Sequence, residues 1–153
     1  MPRTSDQRYP LALLVIYLAW WLLWAWKPVD FASWAASNIV STATVVILAI
    51  TYGRFRFSNT SYTLLFVFLL LHVVGTHYMY QRVPYDQWFV QVLGWSPDAA
   101  FGWQRNQFDR LIHFLSGFLL VYLLREILVR LAGVRGFWTY LLPFSVLLAM
   151  AAA

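Results

Sequence analysis

Cysteine is absent from the 153 residues, and charge is scarce: Lys and Arg number 11, Asp and Glu 6, together 11% of the chain. Without a thiol there is no disulfide framework, no thiolate metal site and no cysteine nucleophile. A soluble domain carries about 25% charged residues, so this chain has too few to cover an aqueous surface. Glycine-rich phosphate loops are missing as well, which removes the usual backbone cradle for a nucleotide. The opening "MPRTSDQRYP" is short and polar. The apolar run after it exceeds a signal h-region and lacks a small-residue cleavage site, so it reads as a retained span. A net charge of +5 would suit nucleic acid in a soluble chain. Here the arginines lie in short loops beside apolar spans, where membrane orientation accounts for them, and nucleic acid is not expected as a partner.

What is abundant is apolar and aromatic: 61% hydrophobic residues and 20% Phe, Trp and Tyr. The expected fold class is all-α, a polytopic transmembrane helix bundle forming one domain over 1–153. Five apolar runs approach the roughly 20 residues that a bilayer requires of a helix. They cover about 9–26, 31–52, 62–80, 108–131 and 137–153. Backbone groups in hydrocarbon must pair within their own segment, and the runs lack the period-two alternation of a barrel, so each is expected to be helical. Trp20, Trp21, Trp24 and Trp26 crowd the end of the first span, as interfacial anchors do.

Charge sets the orientation. One side has Arg3, Arg8, Arg54, Arg56, Arg125, Arg130 and Arg135; the other has Lys27, Arg82, Arg105 and Arg110. The side richer in positive charge faces inward, so the N-terminus is expected in the cytoplasm. The second span carries Ser37, Asn38, Ser41, Thr42 and Thr44. Small polar residues let helices approach closely, so a packing face accounts for them better than a substrate path. That face leaves a second copy of the chain or another membrane protein open as partners.

The connection 81–107 is the only long one, and it is expected on the outer side. Within it "YDQWFVQVLGW" spaces Trp88, Phe89, Val92, Leu93 and Trp95 near helical periodicity. A short amphipathic interfacial helix between spans three and four is therefore expected, lying in the headgroup layer or serving as a packed cap. Pro97 and Gly102 punctuate the return.

The fourth span begins "NQFDRLIHFLSGF", with three ionisable groups in little more than one helical turn. Asp109 and His113 are i and i+4 on one face, and Ser116 and Gly117 continue it one turn deeper. Arg110 sits about 100° round the helix, where its long side chain reaches a neighbouring helix or a phosphate. His77, Tyr78 and Tyr80 close the third span at the matching depth. Singly, each has a structural account: a first-turn acid, a snorkelling arginine, an interhelical histidine. Together, two imidazoles, a carboxylate, a guanidinium and two phenols at one membrane depth point to function. The expected catalytic set is Asp109, His113 and His77, with Arg110, Tyr78, Tyr80, Ser116 and Gly117 binding substrate. His72 is assigned to structure, as are Arg125 and Glu126, read as a structural ion pair or as interface anchors. No HxxxH or HExxH spacing supports a metal, and no cofactor class is indicated.

"HYMYQRVP" (His77 to Pro84), "NQFDRLIHFLSGF" and "LLREILVR" (Leu123 to Arg130) resemble the YjdF-like family of bacterial inner-membrane proteins, a domain of unknown function. The likeness runs from about the second span to the end of the chain; in the first span only hydrophobicity corresponds. In that family a run of type "YELIEW" follows the fifth span and a further acidic motif precedes a sixth. The resemblance implies that this chain, ending "AMAAA" with no charged flank, is truncated after its fifth span, with acids that would complete the site beyond Ala153. A looser likeness links Asp109, Arg110, His113 and Phe114 to the Asp-Lys and His-Phe of VanZ-like membrane proteins.

Three function classes remain. The chain binds or processes a phosphorylated lipid or polyprenyl headgroup at the outer leaflet. Arg110 would hold the phosphate, His113 would be acid or base oriented by Asp109, and His77 would assist. Alternatively the same cluster is a proton or ion relay in a transporter, against which stands the lack of an inverted repeat or a broken central helix. The third class is a non-catalytic membrane scaffold, resting on the small polar face of the second span.

Overall fold

The structure is a computed structural model that describes residues 7–152, with side chains to Ala149; Arg3 and Ala153, both invoked above, lie outside them. Among the described residues every regular element is a helix: α1 (Arg8–Ala25), α2 (Phe31–Thr51), α3 (Asn59–Tyr78), α4 (Tyr85–Leu93), α5 (Pro97–Phe101), α6 (Phe108–Arg130) and α7 (Trp138–Ala152). Four of them, α1, α2, α3 and α6, are long and apolar enough to cross a membrane. Five spans are expected from the sequence, and the fifth apolar run does fold as α7. With 15 residues, α7 is about 22 Å long at the α-helical rise, short of the roughly 30 Å hydrocarbon core.

Local chemistry fixes several boundaries. Asp30 caps α2, its carboxylate accepting from Ser33 N at 2.7 Å. That backbone bond, followed by the Ser33 hydroxyl, holds the Asp30 carboxyl below its usual range. Ser58 caps α3, accepting from Ser61 N at 3.2 Å, so α3 starts at Asn59 rather than at Tyr62. Ser96 caps α5, which has Pro97 in its first turn, where a missing N–H costs no helical bond.

α3 is the hub. α1, α2 and α6 each pack against it, and α7 packs on α6. Tyr17, Phe57, Leu65, Leu69, Val73 and Leu123 form the main core cluster. Trp20 Nε1 donates to the Leu70 carbonyl at 3.1 Å, joining α1 to α3. Trp21 Nε1 donates to Asn38 Oδ1 at 2.9 Å, joining α1 to α2. Thus Asn38, one of the polar residues of α2, is buried as packing. The outward faces remain apolar: Ile50 is 73% and Val40 70% exposed. A soluble surface would not keep such contiguous apolar area in water, whereas lipid is an adequate solvent for it.

Two ends can be distinguished. The loop end holds the start of α1, the α2–α3 connection and the end of α6; the cap end holds the α1–α2 turn and residues 79–107. At the loop end the Glu126 carboxylate, 7% exposed, accepts from Ser58 N at 2.9 and 3.1 Å. It also accepts from the Ser58 hydroxyl at 3.0 Å and from the Ser61 hydroxyl. Arg130, one turn on, pairs with it, donates to the Arg56 carbonyl and lies 4.2 Å over the Phe55 ring. Arg125, read from the sequence beside Glu126, instead stacks on Tyr140 of α7, 4.7 Å from its centroid. The ion pair forms with Arg130 because residues four apart share a helix face, whereas adjacent residues do not.

Glu126→Ala is expected to destabilise the folded protein by about 3 kcal/mol, at the low end for a broken buried pair because Arg130 is partly exposed. Thermal unfolding in detergent measures it, and an unchanged midpoint would show that the carboxylate is dispensable.

Candidate functional site at the cap end

The last turn of α3 is shaped by two left-handed residues, Met79 (φ 60°) and Tyr80 (φ 54°). L-residues adopt that conformation at a cost of roughly 1–2 kcal/mol each. The turn is held because Tyr80 N donates to the Gly75 carbonyl at 2.6 Å and the Tyr80 ring folds back over Gly75. A Cβ at position 75 would lie 2.5 Å from Tyr80 Cδ1 and 3.3 Å from Phe108 Cε1. Glycine therefore lets the returning ring and the start of α6 close on α3. The Tyr80 hydroxyl and His72 Nδ1 share a 2.9 Å hydrogen bond.

His77 faces α1. Its Nδ1 donates to the Trp24 carbonyl at 2.8 Å, which fixes the proton on that nitrogen because a carbonyl can only accept. The Trp24 and His77 rings meet edge to face at 5.1 Å. Tyr78 packs beside both, 5.7 Å from Trp24 and 4.6 Å from His77. The His77 carbonyl accepts from Val29 N at 3.0 Å, tying the α1–α2 turn to the same point.

The cap is a built structure. Val83 is fully buried, and Asn106 bridges its carbonyl (2.6 Å) to Phe108 N (3.0 Å), so the start of α6 is pinned to the end of α3. Asp86 accepts from the Ser96 hydroxyl at 2.8 Å and from Asp98 N at 2.9 Å. Asp98 in turn accepts from the Tyr85 hydroxyl, which itself accepts from Gln107 N at 3.2 Å. Burial, and then the bond to the Asp98 carboxylate, raise the Tyr85 phenol. Phe89, Trp95, Phe101 and Trp103 run as successive ring contacts along the outside of the cap, where all four are exposed.

On α6, Asp109 Oδ1 accepts from Arg110 N at 2.7 Å and Arg110 donates to Gln107 Oε1 at 2.9 Å. Both Arg110 and His113 are exposed, and Asp109 is half-buried. The Ser116 hydroxyl donates back to the His113 carbonyl at 2.7 Å. No atom approaches within 4 Å of where a Gly117 Cβ would lie. The buried neighbours of these residues are Phe108 and Ile112, which pack with Val74, Val83, Tyr78 and Tyr80.

The ends of α3 and α6 therefore meet, and their meeting surface is aromatic and aliphatic. The polar groups go to different neighbours: His77 to α1, Tyr80 to His72, and Asp109, Arg110 and His113 to the outward edge of α6. Among the described residues no hydrogen bond, ion pair or ring contact joins His77, Tyr78 or Tyr80 to Asp109, Arg110 or His113. No group of His, Asp and Glu among the described residues has metal-site geometry. Sequence reasoning missed the partner of His77 and the Asp86, Ser96, Asp98 and Tyr85 network. The Ser96-Pro97 start signal of α5 was readable; the backbone carbonyl of Trp24 has no sequence signature.

Four apolar helices long enough to cross a membrane, three of them packed on the fourth and closed at one end by a hydrogen-bonded cap, define a multi-pass helical membrane protein. The chain belongs to the DUF2238 family, described as a predicted membrane protein, which it matches over residues 9–153. It is 32% identical over 107 residues, 70% of its length, to the inner membrane protein YjdF of Escherichia coli (strain K12). The matched stretch is 47% of that relative, so the chain spans about half the length of the curated relative it matches. No solved structure matches it.

Asp86→Ala removes the acceptor of Asp98 N and of the Ser96 hydroxyl. The expected cost is about 1–3 kcal/mol of local stability, or roughly 5- to 150-fold faster amide exchange at Asp98. An Asp98 amide that exchanges at the original rate would show that the cap is held by other contacts.

Proposed function

We propose that this protein binds the phosphate-bearing headgroup of a membrane lipid, glycerol- or polyprenyl-based, along the exposed edge of α6 at its cap end. The observation that carries the proposal is where the charges go. Arg110 and His113 stand on the outward side of a membrane-crossing helix, and among the described residues the one side-chain partner of Arg110 is neutral, Gln107. Ionisable groups at a span are costly to keep, so a lateral, unneutralised pair suits an anionic ligand that arrives through the bilayer. Arg110 offers a planar fork to phosphate oxygens. His113 lies one turn deeper as proton donor or acceptor, with Asp109 on its face of the helix. The open space beside Gly117 and the Ser116 hydroxyl admit the first atoms below the headgroup. Tyr78 and Tyr80 form the wall behind α6, and His77 positions the end of α1 through Trp24.

The exposed rings of Phe89, Trp95, Phe101 and Trp103 support an amphipathic cap resting in the headgroup layer. We place the N-terminus in the cytoplasm from the excess of arginine at the loop end, and the cap on the outer face. In this scheme α7 belongs to the fifth span, and the protein resides in the bacterial inner membrane, as the name of its relative states for that protein.

Binding of farnesyl phosphate to the detergent-solubilised protein, followed by calorimetry, tests the proposal. Arg110→Ala is expected to weaken it about 10- to 100-fold, the worth of one charged hydrogen bond, and His113→Ala less. Inorganic phosphate should compete weakly, because it lacks the chain. Equal affinity for farnesol, which has no phosphate, would sink the headgroup role.

A further inference from the structure

A second site lies at the opposite end of the molecule. α1 and α2 both pack on α3 but hardly on each other. The Trp21–Asn38 hydrogen bond and the Trp21–Trp34 ring contact at 5.4 Å hold them together toward the cap end. Toward the loop end they diverge, leaving a cavity of about 390 Å³ between α1, α2 and α3. That volume is within the roughly 300–1,000 Å³ of small-molecule sites. Its walls are aliphatic, including Leu14, Leu48 and Leu65, and three phenols, Tyr17, Tyr52 and Tyr62, also line it. From Gln7 to Tyr17 along α1 the cleft is about 15 Å deep at the helical rise, which is half the roughly 30 Å hydrocarbon core. One leaflet's depth is the reach of one acyl chain.

The mouth is basic. Arg54 and Arg56 lie in the α2–α3 connection, just past the Tyr52 end of the cleft. The Arg56 guanidinium rests 4.9 Å over the Tyr52 ring. Neither arginine is in an ion pair among the described residues, where Glu126 and Arg130 form the one pair.

We propose that this cleft holds one acyl chain of an anionic phospholipid from the leaflet at the loop end, its phosphate bound by Arg56 and Arg54. The site shares no residue with α6 and does not rest on the headgroup site at the cap end. Its chemistry is also different: the apolar chain gives the fit and the arginines select for negative charge.

Native mass spectrometry of protein extracted from vesicles of equal phosphatidylglycerol and phosphatidylcholine tests it. One phosphatidylglycerol is expected to stay with each chain, preferred about tenfold over phosphatidylcholine, the worth of roughly one charged contact. Arg56→Gln should bring the two lipids close to parity while a lipid is still retained. Ala49→Trp, which puts an indole into the cleft, should abolish retention, and Leu48→Trp serves as an independent filling variant. Circular dichroism confirms that each variant is folded, and all are compared in an Arg110→Ala background, so that lipid held at the cap end is not counted. Folded filling variants that still carry the lipid would overturn the proposal. So would equal retention of both lipids by the unmodified protein. If neither filling variant folds, an unchanged preference in Arg56→Gln overturns it alone.

Discussion

The buried carboxylate of Glu126 is the contact on which the bundle's arrangement turns. A charged group kept away from water is tolerable only when nearly every lone pair is occupied. Glu126 meets that condition by collecting the orphan N–H and hydroxyl at the start of α3 together with Arg130 of its own helix. The same bond set therefore caps α3, fixes the depth of α6 against it, and fastens the α2–α3 connection through the Arg56 carbonyl. A helix N-terminus favours negative charge, so the pairing has direction as well as strength. Apolar packing alone would not give it. Between helices in lipid, hydrophobicity supplies little preference for one register over another.

At the other end the same problem is solved without ion pairs. His77, the Trp24 carbonyl, the Val29 amide and the Tyr80 hydroxyl settle their hydrogen bonds within the α1–α3 side of the molecule. At this end of α6, Arg110 and His113 are left exposed and Asp109 half-buried. The division separates structural polar groups from available ones. It is also why the proposed function leans on Arg110 and His113 and gives His77 a positioning role.

Much of the architecture was legible in the sequence, and what was not has a physical reason. Apolar length identified the four helices long enough to cross a membrane and counted the shorter α7 as a fifth, the long connection marked the cap, and the spacing of Trp88, Phe89, Val92 and Leu93 marked α4. Ser58 and Asn59 before an apolar run carried a start signal that moves α3 three residues earlier. The rotation of each helix about its own axis was not readable, because helices apolar on every side have no face that periodicity can mark as inward. That is the information needed to know that His77 meets Trp24, that Glu126 meets Ser58 and Ser61, and that His113 looks outward. Spacing within one helix placed Asp109 and His113 on a common face; nothing in the spacing could say what that face would meet.

α3 is held at its first residues by the Glu126 carboxylate of α6, and at its last by both the end of α1 and the start of α6. The two flanking helices rely on it rather than on each other. The α1–α2 side and the α6–α7 side are thus joined chiefly through α3, and any change in how the two sides sit relative to one another has to be borne by that helix.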